Sequence, residues 1–122
     1  MVERDPPSLV IDLPQLCSAA SSSGQKWAHE SEDLDVTLLS WKPGKSIEAH
    51  VNNEVDVVLI GVAGSGIVTI EDDQHLLHPG SLLLIAKGKR RAMQGGDEWW
   101  GYLSVHRRRR GLMPTVGGKA IF

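Results

Sequence analysis

Cysteine occurs once in this chain, at Cys17. A single thiol excludes an intramolecular disulfide and a cysteine-rich zinc site, and it fits a reducing compartment. No stretch approaches the length of apolar sequence that a membrane span needs, so none is expected. The opening MVERDPPSLV is acidic and proline-rich rather than basic and then apolar. It does not read as a secretory leader, and a cytoplasmic location is expected. No long segment repeats its apolar residues every 3.6 positions, which argues against a helical fold. Internal repeats are absent too. GVAGSG precedes an extended run rather than a helix, so it is not a phosphate loop. There is no nucleophile elbow, and neither Ser81 nor Ser104 has recognisable His and Asp company.

What remains is an ordinary globular composition, 41% hydrophobic and 23% charged, in 122 residues with 13 glycines and six prolines. That length suits one domain spanning residues 1–122. Its charge is lopsided. Residues 1–86 hold 4 basic and 13 acidic side chains, and residues 87–122 hold 9 basic and 2 acidic. The basic side chains concentrate in KGKRR (87–91) and RRRR (107–110). Such clusters bind anions or nucleic acid, or else form a solvated edge that pairs with the acidic half. No aromatic residues interleave with them to stack bases, which favours the second reading and argues against a nucleic-acid partner.

Short runs rich in aliphatic and β-branched residues alternate with Gly/Pro turns. SLVIDL (8–13), QKWAHE, LDVTLLSW (34–41), SIEAHV, EVDVVLIGV, IVTIED, HLLH, LLLIA, RRAMQ and EWWGYLSVH (98–106) read as strands. PQLCSAASSS reads as one helical turn entered at Pro14, and DQ as a tight connection into HLLH. Eight to ten strands with turns at this spacing predict an all-β sandwich or barrel, with at most one short helix near the N-terminus. Within PGKSIEAHVNNEVDVV, the residues His50, Asn52, Glu54 and Asp56 fall at every second position. In a strand they would share one face.

Residues 41–95 resemble the cupin family, an RmlC-like jelly roll or double-stranded β-helix. The resemblance rests on Gly44, then five residues, His50-Val51-Asn52, Asp56, and Gly61 or Gly64. It continues with Gly80, SLLLI, Ala86-Lys87-Gly88 and Arg91. The match places the motif core at about 34–106, an N-terminal extension at 1–33 and a tail at 107–122. In cupins the corresponding metal set is His, His, Glu and His. Here only His50 survives; Asn52 and Arg91 replace two of the histidines, and the acid is Asp56, or is lost if Val57 occupies its position. His50 and Asp56 could ligate a divalent transition metal. Asn52 offers a neutral amide, and Arg91 has no lone pair and a permanent charge. At ~4 Å and an effective dielectric of ~20, that charge repels a divalent ion by about 8 kcal/mol. The resemblance therefore implies no cofactor, or a weakly held metal on His50 and Asp56.

Two roles for Arg91 follow. It could pair with Asp56 inside the barrel mouth, or it could join His50 in binding the carboxylate or phosphate of a small ligand. On the second role His50, Asn52, Asp56 and Arg91 form a site for an anionic or sugar-like metabolite. An isomerase, epimerase or dioxygenase with His50 as catalytic base or ligand is the alternative. Arg90 should point outward and Arg91 inward. His106, His75, His78 and Glu54 are expected at the surface. Trp99 and Trp100 must face opposite ways, one lining the barrel and the other a sheet face that meets a second subunit, which predicts a homodimer.

Overall fold

A computed structural model describes residues 9–18 and 22–109. It contains one short helix, α1 (Leu13–Ser18), and nine strands: β1 (Gly24–Glu30), β2 (Leu34–Trp41), β3 (Ser46–Val51), β4 (Val57–Ala63), β5 (Gly66–Ile70), β6 (Asp73–Leu77), β7 (Leu82–Ile85), β8 (Arg90–Gly95) and β9 (Trp100–Arg107). The strands form a five-stranded sheet in the order β1-β2-β9-β4-β7 and a four-stranded sheet in the order β3-β8-β5-β6. All pairings are antiparallel. This is the jelly-roll architecture expected above. Turn glycines set its corners. Gly80 and Gly88 sit at φ 86° and 84°, where a side chain would be strained, in the PGS and KGK turns.

The inward faces of the two sheets meet in one core. Leu39, Leu59 and Tyr102 come from the larger sheet, and Val68, Leu77 and Met93 from the smaller. Trp100 is buried among them, against Gly66. Its neighbour Trp99 faces the other way, beside Pro14, Cys17 and Ser18 of α1. The helix itself is set by the Asp12 carboxylate, which accepts the Gln15 N–H at 3.1 Å. Cys17 packs against Gly101, where a larger residue would collide with it. Burial raises the Cys17 thiol pKa, and Lys26 lowers it by less, so the thiol is an inert packing group.

Three local expectations differ from the structure. No strand runs through residues 9–12; that segment leads directly into α1. Asp12 competes for the backbone as a helix cap, and an isolated strand there has no partner. The β5–β6 turn falls at Glu71-Asp72, with Glu71 at φ 53°, so Asp73 and Gln74 already belong to β6. The largest difference concerns the alternating polar run. β3 ends at Val51, and residues 52–56 form a loop. The Asn52 side-chain oxygen accepts the Glu54 and Val55 N–H groups at 2.9 and 3.4 Å, which turns the chain and destroys the two-residue period.

Among the described residues no helix is long and apolar enough to cross a membrane.

A Cβ added at Gly66 would lie 2.6 Å from the Trp100 ring. Gly66→Ala is therefore expected to cost about 1–3 kcal/mol, read as a lower urea midpoint with an unchanged slope.

Candidate functional site

A bulge in β3 places His50. Ile47 pairs with Met93, and His50 pairs with Arg91, with a register shift between them. Ile47 packs against the core. In a regular strand a residue three further on would face solvent. The extra residue reverses that, and His50 turns inward. On β8 the alternation is regular: Arg90 is exposed, whereas Arg91 is 1% exposed.

The two side chains meet inside. Arg91 Nε–H donates to His50 Nε2 at 3.2 Å. Because guanidinium only donates, Nε2 must carry the lone pair. The ring proton is therefore on Nδ1, which lies 3.2 Å from the Glu48 carbonyl at the bulge. His50 is thus a neutral acceptor that orients an arginine. Nη1 and Nη2 of Arg91 are both buried and make no hydrogen bond among the described residues. Burial lowers the Arg91 pKa, and the charge of Arg109 lowers it further. The group still starts so far above neutrality that it keeps its proton.

The pairing of Arg91 with Asp56 does not occur. Asp56 is exposed, and its Oδ1 accepts the Lys87 backbone N–H at 2.9 Å. The loop that Asn52 initiates carries Asp56 away from the interior. Asn52 itself is buried, and among the described residues its amide nitrogen has no hydrogen-bond partner. Glu54 is half-buried, while His75 and His78 are exposed. His106 departs from expectation: it is 4% exposed. It lies opposite Asp35 in the β2–β9 ladder, 3.9 Å from its carboxylate, and its Nδ1 is 2.9 Å from the Arg107 carbonyl. Of the four proposed ligand-binding residues, the structure brings His50 and Arg91 together, buries Asn52 on the adjoining turn and sends Asp56 outward.

Tyr102 is the residue that the sequence reading left unplaced. Trp41 Nε1–H donates to Tyr102 Oη at 3.0 Å, and the Tyr102 hydroxyl donates to Met93 Sδ at 3.3 Å. Burial pushes its pKa up to about 12, against smaller lowering effects from Trp41 and Arg91. Period two along β9 was the available signal: once Trp100 faces inward, Tyr102, Ser104 and His106 do too.

The donor set does not fit a divalent transition metal. The one imidazole lone pair accepts from Arg91, a fixed positive charge lies beside it, and Asp56 is turned away. Among the described residues no three His, Cys, Asp or Glu side chains converge as ligands.

The arginine run is partly neutralised. Arg108 Nη2 lies 3.3 Å from Glu30 Oε1, and its backbone N–H donates to the Asp33 carbonyl at 2.7 Å. This is the pairing with the acidic half that the charge distribution suggested. Arg110 lies outside the described residues.

No family model matches the chain. No curated protein matches it either. Solved structures do. BH2720 from Bacillus halodurans is 17% identical over 94% of this chain and 92% of its own, with a TM-score of 0.74. An uncharacterized conserved protein with a double-stranded β-helix domain from Klebsiella pneumoniae is 16% identical over 83% and 90%, with a TM-score of 0.69. A cupin superfamily protein from Desulfitobacterium hafniense is 19% identical over 88% and 97%, with a TM-score of 0.69. The fold is the double-stranded β-helix of the cupins. At these identities the likeness extends to fold and not to reaction.

Tyr102 is the only tyrosine, so absorbance near 295 nm during alkaline titration reads it alone. The phenol should titrate near pH 12 rather than 10. A raised folded pKa means that its contribution to stability is complete below pH 10 and is lost as the pH rises towards 12. Tyr102→Phe should remove that part of the alkaline destabilisation, measured as melting temperature against pH.

Proposed function

We propose that the barrel interior of this small cupin-fold protein binds the carboxylate or phosphate group of a small metabolite, with Arg91 as the anchor. One observation carries this reading: a guanidinium only 1% exposed, with both terminal nitrogens lacking a hydrogen-bond partner among the described residues. A buried, unpaired charge costs several kcal/mol and survives where a ligand is meant to satisfy it. The two free nitrogens form the fork that matches an oxyanion with two parallel hydrogen bonds. His50 holds the opposite edge of the guanidinium, which fixes the direction of the fork. Its lone pair is thereby engaged, so proton abstraction by His50 is not the reading that this geometry favours. A cytoplasmic setting, with its supply of anionic metabolites, suits such a protein.

The protein is also proposed to act as a homodimer. On the outward face of the five-stranded sheet, Leu34, Val58, Ile60, Val105, Leu82 and Leu84 form an apolar surface. Leu82 and Leu84 are 64% and 59% exposed. One end of this surface is a cleft of about 390 Å³ where Leu34, Val58 and Val105 adjoin Glu54, Asp56, Lys87 and Arg107. A rim carrying both charge signs complements itself about a twofold axis, which suits a second copy of the same chain.

Two outcomes are expected. Arg91→Met should lose anion binding yet raise the melting temperature of the ligand-free protein, because a buried charge is replaced by an apolar chain of similar length. A falling melting temperature would instead mark Arg91 as a structural residue and sink the ligand reading. Equilibrium sedimentation at tens of micromolar should give twice the 13.3 kDa chain mass, reverting to the single mass for Leu84→Lys. A wild-type monomer would remove the dimer.

A further inference from the structure

Buried polar atoms without partners describe the ligand by what they lack. Among the described residues, those on β8 and on the turn that follows β3 are Arg91 Nη1, Arg91 Nη2 and Asn52 Nδ2, with others elsewhere in the fold. All three are donors, so what is missing is an acceptor. The Asn52 amide has only one possible orientation. Its oxygen accepts two backbone N–H groups, Glu54 at 2.9 Å and Val55 at 3.4 Å. Backbone N–H cannot donate to an NH₂ group, so flipping the amide would break both bonds. The Asn52 main chain is tied down as well: its carbonyl accepts the Gly88 N–H at 2.7 Å. The contacts Asn52 to Gly88, Val51 to Arg90 and His50 to Arg91 continue one ladder between the same two segments. Asn52 therefore adjoins the segment that leads into the strand carrying Arg91.

Resting on the oxyanion reading above, the geometry points to Asn52 as a second, orientation-locked donor to the same oxyanion, selecting acceptor-only groups over cations and neutral amides. The arginine fork supplies charge and two hydrogen bonds. The amide supplies a neutral donor whose direction the turn fixes. Recognition then extends to both carboxylate and phosphate oxygens, which share this acceptor chemistry.

Asn52→Asp tests the assignment with little change in shape. An aspartate oxygen can still accept the Glu54 and Val55 N–H groups, so the turn persists, while the buried donor becomes an acceptor with negative charge. Asn52→Ser is the companion variant: its hydroxyl can hold a similar turn but lacks the NH₂. Calorimetric titration of the full chain with inorganic phosphate, and separately with acetate, distinguishes the two oxyanion geometries. Binding of at least one anion by the wild-type protein is expected. Arg91→Met should abolish it. Both Asn52 variants, with unchanged far-ultraviolet circular dichroism, should weaken it by about tenfold or more, the loss expected of a donor to a charged acceptor. Affinity lost in Arg91→Met but retained in either folded Asn52 variant overturns the role of Asn52 and leaves the oxyanion reading standing. A wild-type protein that binds neither anion overturns both.

Discussion

A guanidinium keeps its charge at any pH a protein meets, and in this fold one is carried on β8 into the space between two apolar sheet faces. Among the described residues Arg91 has a single hydrogen bond there, from Nε to the neutral His50 ring. Everything else around the site can be read as a consequence of accommodating that group. The β3 bulge brings His50 inward to accept from it. The Asn52 turn removes Asp56, the carboxylate that the resemblance placed beside it. Among the described residues, what is left at Arg91 and Asn52 is a set of buried donors without acceptors beside a fixed positive charge, a poor host for a cation.

Rigid surroundings give that surplus direction. Tyr102 is held between the Trp41 indole and the Met93 sulfur, and Trp100 is wedged against Gly66. These groups occupy paired strands rather than loops, as Arg91 itself does on β8. The outward face of the five-stranded sheet has a different character, aliphatic across neighbouring strands, and α1 covers one end of it near Cys17 and Gly101.

Legibility from sequence followed the range of the interaction. Leu34–Trp41 and Ser46–Val51 could be read to the residue, because β-branched runs bounded by Gly/Pro turns carry their own limits. The inward direction of Arg91 and outward direction of Arg90 were legible from two-residue alternation and the motif match. SLVIDL failed as a strand because Asp12 prefers to cap a helix. His106 was expected at the surface because it neighbours arginines in sequence. Its ladder position opposite Asp35 decides its burial instead. The alternation from His50 to Asp56 looked like one strand face, and a side chain forming its own turn at Asn52 cut it in two.

The sequence by itself determined an all-β sandwich or barrel and the order of most of its strands and turns, because propensity and period act within a few positions of the chain. The jelly roll, and the arginine at a position where cupins carry a metal ligand, were implied by the family resemblance. Only the tertiary structure decided that His50 points inward despite its spacing from Ile47, that the Arg91 terminal nitrogens lack partners among the described residues, and that Asp56 is turned away. Each depends on a bulge, a side-chain turn or a register between segments some forty residues apart, and such pairings exist only once the sheets have closed.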